Sequence, residues 1–157
     1  MQDAMTGGAA TTQPVLAGFW WRVLAALIDG LVLMIPGMIL QTVVVMIFGA
    51  PTVDENGVVT GGGMSTLVNA VLGIAMYWIY FAKLESSEWQ ATVGKKVLGL
   101  FVTDEAGQRL DFTRASIRYF SKILSSLILC IGYIMVAFTA KKQGLHDMIA
   151  KTLVYKR

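Results

Sequence analysis

Asp29 is a lone acid in an apolar stretch. Between Val23 and Val53 it is the only charged residue, and Arg22 stands immediately before that stretch. A carboxylate that faces hydrocarbon costs between about 3 and more than 10 kcal/mol, so we expect this one to face protein, water or a cation. Two interpretations follow: a structural contact that holds helices in register, or a proton or cation site.

Other charged residues are candidates for partners of Asp29 and Arg22. These two lie seven positions apart on one helix face, about 10 Å along the axis, so each is expected to meet a third group. Asp147 is a candidate partner for Arg22, and Lys95 for either acid. His146 either titrates near physiological pH or makes a hydrogen bond that orients the segment around it. The predicted charge network therefore contains Arg22, Asp29, Lys95, His146 and Asp147.

The composition is that of a membrane protein. Of the 157 residues, 55% are hydrophobic and 15% are charged, with a net charge of +3. A soluble domain carries about 25% charged residues. The sequence contains no nucleophile–base pair and no phosphate-binding loop, and one Cys with one His does not make a metal site. We therefore expect no enzymatic activity, no cofactor and no metal. Membrane topology accounts for the cations, so nucleic acid is not an expected partner.

Two apolar stretches predict transmembrane helices, over residues 19–48 and 64–82. The first is long enough to require tilt or a kink, for which Pro36 is the natural site. Residues 1–18 are predicted to be a flexible tail. The segment 83–122 holds seven Lys and Arg residues and the loop 49–63 holds none, which predicts a cytoplasmic N-terminus and a cytoplasmic 83–122 segment.

A third apolar run covers residues 123–140, and a basic segment follows it. Three full crossings place this basic segment outside, whereas its cations favour the cytoplasm. Either the run dips into the membrane and returns, bending near Gly132, or it crosses and the charge rule is overridden. We favour the arrangement in which the segment after the run is cytoplasmic.

The segment 83–122 is predicted to carry two small elements. Residues 92–100 are apolar on one side and basic on the other, which is typical of an amphipathic element on the inner leaflet. Residues 100–103 and 109–112 flank a turn and predict a β-hairpin. Residues 152–155 are strand-like and could pair with it. The predicted fold is an all-α membrane protein with two transmembrane helices, a third crossing or re-entrant helix, and these cytoplasmic elements.

Three motifs resemble those of the RDD family of bacterial integral membrane proteins. The segment 19–29, FWWRVLAALID, resembles the opening of the family. Residues 92–100, TVGKKVLGL, match its T-x-G-K-x-x-x-G-L element, and residues 143–152, QGLHDMIAKT, match its Q-G-x-H-D-x-x-A-x-T element. Lys151 stands where glycine is common. The resemblance implies one membrane domain over residues 19–157 in the bacterial inner membrane. It assigns the name-giving residues to Arg22, Asp29 and Asp147.

Two functions remain open. A transport role has been proposed for some members of the family, and here it would be cation- or proton-coupled, with Asp29 beside the route. Two or three spans cannot enclose a pathway, so this role requires a homo-oligomer or a membrane-protein partner. The alternative is a non-catalytic scaffold or assembly factor in which the Arg and Asp residues are structural. In both cases anionic lipid headgroups are expected partners at the cytoplasmic face, where Arg114 and Arg118 either contact them or simply set the topology; we favour the second interpretation.

Overall fold

The computed structural model of the protein describes residues 14–127 and 131–157. It is mainly helical, with two small sheets. In chain order the elements are β1 (Val15–Leu16), α1 (Phe19–Phe48), β2 (Thr52–Val53), β3 (Val59–Thr60), α2 (Gly63–Glu85), α3 (Val93–Val97), β4 (Leu100–Asp104), α4 (Phe112–Leu127), α5 (Ile131–Ile134), a 3₁₀ turn (Met135–Ala137), α6 (Leu145–Ala150) and β5 (Thr152–Lys156).

The helices α1 and α2 are long and apolar enough to cross a membrane. Their bounds agree with the predicted spans, and α1 continues through Pro36 as one helix. Only 11% of the apolar window of α1 and 6% of that of α2 is buried. Core helices of soluble proteins bury their apolar side chains, so these helices expose a surface suited to lipid.

A three-stranded antiparallel sheet with the order β1-β5-β4 gathers distant parts of the chain. Val15 pairs with Lys156, and Val102 pairs with Val154. The predicted pairing of the 152–155 strand with the 100–103 strand is confirmed. The sheet places the start of α1, the segment after α2 and β5 at the same end of the two long helices. Of the predicted tail, residues 1–13 lie outside the described residues, and Val15–Leu16 forms β1.

The second arm of the predicted hairpin is wrong. Residues 109–111 form no strand, and Phe112 begins α4. The turn itself forms, because Asp104 Oδ1 accepts hydrogen bonds from the backbone N–H groups of Ala106 and Gln108. The free edge of β4 is taken instead by Gln90, whose carbonyl accepts from Val102 N at 2.7 Å. Asp111 then accepts from Arg114 N and starts the helix.

The third apolar run does not form one continuous helix in the described residues. The helix α4 begins before it and ends at Leu127, residues 128–130 are not described, and α5 with the 3₁₀ turn follows. A third span is therefore not confirmed. The polar side of α4 faces the protein, where Arg118, Ser121 and Ser125 are buried. Its outer side is apolar, with exposed side chains at Phe112, Ile117, Phe120, Ile123 and Leu124.

The element predicted over residues 92–100 differs from its expected orientation. Its helix, α3, packs on α1, and both Gly94 and Lys95 are buried. Only Lys96 keeps the expected outward position, with its ammonium 3.2 Å from the centre of the Trp89 ring. The buried hydrogen bonds of this segment, described below, hold it against α1 rather than leaving it free to lie on a leaflet.

Candidate functional site

Asp29 is buried inside the protein, at 2% exposure, and its carboxylate is fully hydrogen-bonded. Oδ1 accepts from the Tyr80 hydroxyl and from the backbone N–H of Gly94, both at 2.7 Å. Oδ2 accepts from the Thr92 hydroxyl at 2.6 Å. No cation within the described residues forms an ion pair with Asp29. The carboxylate is thus stabilised by three neutral donors from α2 and α3.

The motif over residues 92–100 explains this contact. Thr92 also caps α3, since its hydroxyl oxygen accepts from Lys95 N at 3.4 Å. Gly94 lies so close to α1 that a Cβ atom there would overlap the carbonyl oxygen of Ala25 and stand 2.9 Å from Asp29 Cγ. Only glycine therefore brings its backbone N–H to the carboxylate without moving α1.

A second group of charges centres on Arg118 of α4, which joins two buried acids. Its Nε and Nη2 atoms lie 2.9 and 2.7 Å from Asp147 Oδ1, and its Nη1 atom lies 2.8 Å from Glu85 Oε2. All three side chains are almost completely buried. One guanidinium therefore connects the end of α2 to the start of α6.

Further cations complete this group. Arg22 pairs with Asp147 and also donates to the carbonyl oxygens of Ala17 and Lys142. On the other side, the Lys95 ammonium pairs with Glu85. Lys122 lies 3.7 Å from the same Glu85 oxygen. We call the following six residues the charge cluster: Arg22, Glu85, Lys95, Arg118, Lys122 and Asp147.

Burial and mutual attraction set the protonation of the cluster. Burial alone would raise the pKa of Asp147, but Arg118 and Arg22 hold this pKa well below its ordinary value. For Lys95, burial disfavours the ammonium and lowers its pKa to about 7, against the attraction of Glu85. Lys95 is therefore a buried amine that changes charge near neutral pH.

His146 remains neutral beside the cluster. Burial lowers its pKa to about 3, although the neighbouring Asp147 opposes this shift. Nε2 lies 3.4 Å from Asp147 Oδ1, and the buried Nδ1 atom has no hydrogen-bond partner within the described part of the chain. The interpretation in which this residue titrates near physiological pH is not supported. Its ring, 5.1 Å from that of Tyr133, packs as a neutral group.

The structure brings together four of the five predicted site residues. Arg22, Lys95, His146 and Asp147 lie in or beside the charge cluster, whereas Asp29 has its own set of donors. Sequence reasoning missed three residues that complete the cluster, Glu85, Arg118 and Lys122, as well as Tyr80. A signal existed for Arg118: the residues Arg118, Ser121, Lys122 and Ser125 recur at helical spacing and mark a polar helix face.

A cavity of about 550 Å³ adjoins both groups of charges. Basic side chains of the cluster and Asp29 line it together with mainly apolar side chains, which come from α1, α2, α4 and the segments that follow α4. Within the described residues, no group of His, Cys, Asp and Glu has the arrangement of a metal site. The basic side chains on its wall can make ionic contacts with an acidic group.

Comparisons with known proteins agree on one family. The model of the RDD family matches residues 16–151. The uncharacterized protein YxaI of Bacillus subtilis is 40% identical over 89% of this chain and 97% of its own length. The uncharacterized membrane protein YteJ of the same organism is 33% identical over 88% of this chain and 79% of its own length. No solved structure matches. This chain, with its two apolar helices and its Arg22–Asp147 pair, belongs to the RDD family of membrane proteins.

Proposed function

We propose that this protein takes part in proton-coupled transport across the bacterial inner membrane, as a homo-oligomer, and that the Lys95–Glu85 pair exchanges the proton. The observation that carries this proposal is Lys95 itself. It is a buried amine with a pKa of about 7 that contacts a buried acid and lines a cavity at the end of both long helices. A group of this kind can gain and lose a proton under cellular conditions.

This proposal moves the exchanging group away from Asp29. The carboxylate of Asp29 already accepts three hydrogen bonds of 2.6–2.7 Å from the chain. Asp29 is better suited to fixing α3 on α1. This contact in turn positions Lys95, which is three residues after Thr92 and one after Gly94, the two residues of this segment that donate to Asp29.

The oligomer and the orientation belong to the same proposal. Two helices cannot surround a pathway, and the exposed apolar side chains of α1 and α2 leave room for both lipid and further copies of the chain. The excess of cations in the segment 83–122 favours a cytoplasmic position for the sheet and the charge cluster. Arg118 is buried and cannot face headgroups, so Arg114, with 41% of its side chain exposed, retains that role.

Flux in sealed proteoliposomes tests the transport proposal. An interior pH-sensitive dye reports proton movement under imposed sodium, potassium or proton gradients, for the wild type and for two neighbouring variants. Lys95→Gln removes the buried amine and should abolish flux. Lys96→Gln removes the adjacent exposed cation and should leave flux unchanged. Lys95→Arg keeps the charge but does not titrate, so it should fold and still fail to transport.

A scaffold is the second candidate function, and it has its own support. The buried carboxylates of Asp29, Glu85 and Asp147 all have partners within the chain. Such an arrangement serves to lock one fold without any need for proton exchange. Absence of flux in correctly inserted wild-type protein, at several pH values and with each cation gradient, would favour this candidate and reject proton-coupled transport.

A further inference from the structure

Among the charged residues that line the cavity, the share of basic residues is larger than in the charge cluster as a whole. Arg22, Lys95, Arg118 and Lys122 line it, whereas their partners Glu85 and Asp147 do not. Those two acids lie behind the basic side chains, at 1% and 0% exposure. Asp29 is the one acid that lines the cavity, and its oxygens are held by three donors of the chain. The accessible groups on this wall are therefore predominantly N–H donors.

Lys122 has unused capacity to bind an anion. Its ammonium makes no hydrogen bond to any described residue, and the nearest carboxylate oxygen, on Glu85, is 3.7 Å away. The ammonium lies 4.2 Å from the centre of the Phe81 ring, an attraction that leaves its N–H groups unoccupied. An acidic group in the cavity would give this half-buried cation the hydrogen bonds that it lacks.

The remaining walls are largely apolar. Phe19 and Val23 of α1, Phe81 of α2 and Ile123 of α4 all line the cavity. The solvent-exposed members of the lining are Ala26, Ile123 and Ser126, so the mouth lies between α1 and α4. Both helices carry exposed apolar side chains beside the mouth, including Leu27 and Leu124. A mouth between two lipid-facing surfaces opens sideways into the bilayer.

We propose that this cavity binds a single-chain anionic lipid from the membrane. The acidic head, a carboxylate or a phosphate, contacts Lys122 and the neighbouring basic side chains, and the acyl chain leaves between α1 and α4. The cavity volume of about 550 Å³ lies within the range of small-molecule sites, about 300–1,000 Å³. This inference goes beyond the proposed transport role, because binding of such a lipid requires no flux and no second copy of the chain.

Native mass spectrometry of the full chain in neutral detergent tests this inference directly. The probes are oleate and lysophosphatidic acid, which have one chain and an acidic head. Oleyl alcohol has the chain without the charge, lysophosphatidylcholine has a zwitterionic head, and acetate and inorganic phosphate have no chain. We expect one bound molecule of either acidic lipid, with at least tenfold weaker binding of every other probe. Equal binding of oleyl alcohol would overturn the role of the cations, and binding of phosphate or acetate as tight as that of the lipids would overturn the role of the chain.

Two substitutions locate the site. Lys122→Gln should weaken oleate binding at least tenfold, and Lys122→Arg, which keeps the charge, should restore most of the affinity. Lys83→Gln removes an exposed cation of α2 that does not line the cavity, and it should have no effect. If Lys122→Gln fails to fold, a variant that obstructs the cavity mouth provides a second test. Ala26→Trp, at an exposed position of the lining, should block binding. Unchanged affinity in folded Lys122→Gln or Ala26→Trp protein would refute the proposal.

Discussion

The backbone N–H of Gly94 donates a 2.7 Å hydrogen bond to Oδ1 of Asp29, across 65 positions of the sequence. The contact joins the first half of the long apolar helix α1 to the five-residue helix α3, which follows the second long helix. It requires a close approach of two backbones, for which a residue without Cβ is necessary. A motif glycine and a motif aspartate, far apart in sequence, are thus two halves of one interaction.

Replacing Gly94 by alanine should destabilise the fold. The added Cβ would overlap the Ala25 carbonyl oxygen, so α3 must move off α1, at an expected cost of about 2 kcal/mol or more. Thermal unfolding in mild detergent, followed by circular dichroism, measures the effect. Gly73→Ala is the control, because nothing lies within 4 Å of its Cβ position and alanine favours a helix. Equal unfolding temperatures for the two variants would contradict the packing described.

Removing Arg118 should be among the most damaging changes in the cluster. Arg118→Met leaves Glu85 and Asp147 without their shared partner, and breaking buried ion pairs costs about 3–5 kcal/mol. Arg114→Met, on the same helix, removes a pair that is partly exposed, and such pairs are worth about 1 kcal/mol or less. The measurement is again unfolding in detergent. A loss from Arg114→Met as large as that from Arg118→Met would show that α4 itself, rather than the buried pairs, decides stability.

Asp29 should tolerate asparagine better than alanine. The asparagine oxygen can still accept from Tyr80 and Gly94, and its NH₂ group can donate to the Thr92 hydroxyl after that hydroxyl rotates. We expect a loss of about 1 kcal/mol for Asp29→Asn and a clearly larger one for Asp29→Ala, which leaves buried donors unpaired. Unfolding temperatures and the yield of inserted protein report both. If asparagine is as harmful as alanine, the negative charge itself is required. That result would favour a cation site at Asp29.

His146 should make the fold less stable in mild acid. Its pKa falls from an ordinary 6.5 to about 3 because burial disfavours the imidazolium. Between these values the unfolded chain binds a proton that the folded chain does not, so the free energy of unfolding falls as the pH drops from about 6.5 toward 3. His146→Gln retains an N–H donor near Asp147 and removes the titration.

The pH dependence of unfolding for the wild type and for His146→Gln is the relevant comparison. Above pH 7 the two curves should be parallel. Below about pH 6 the wild type should lose stability more steeply, because only its histidine takes up the proton on unfolding. Parallel curves down to pH 4 would show that the imidazole is protonated in the folded protein as well.

The long apolar helices were predictable because hydropathy depends on composition alone. Residues 19–48 were predicted with the observed bounds. Residues 152–155 were predicted to be strand-like and able to pair with the hairpin, of which only the first arm forms a strand, β4, and pairs with them. The absence of the second hairpin strand was not predictable. Residues 109–112 do not pair with β4 because Asp111 starts a helix there, and Gln90 bonds to the edge of β4 that β5 leaves free.

The candidate site was predicted only in part, for a physical reason. Arg22 and Asp147 lie within distinctive sequence motifs. Glu85 lies between an apolar stretch and a polar loop, where an acidic residue is common and attracts no notice. Arg118 lies on a helix whose polar side faces inward and whose apolar side faces outward. Hydropathy gives the period of such a helix but not which side is buried, and in a membrane protein the usual rule for soluble proteins is reversed.

The strand order β1-β5-β4 has a consequence for synthesis of the chain. The central strand, β5, leaves the ribosome after both of its neighbours, so the edges of β1 and β4 wait unpaired while α1 and α2 are already entering the bilayer. Helix insertion can therefore be completed before the two membrane-adjacent segments are tied together. A chain truncated just before Thr152 should therefore insert its two long helices but stay open at this end and accessible to protease, whereas the full chain should be protected there.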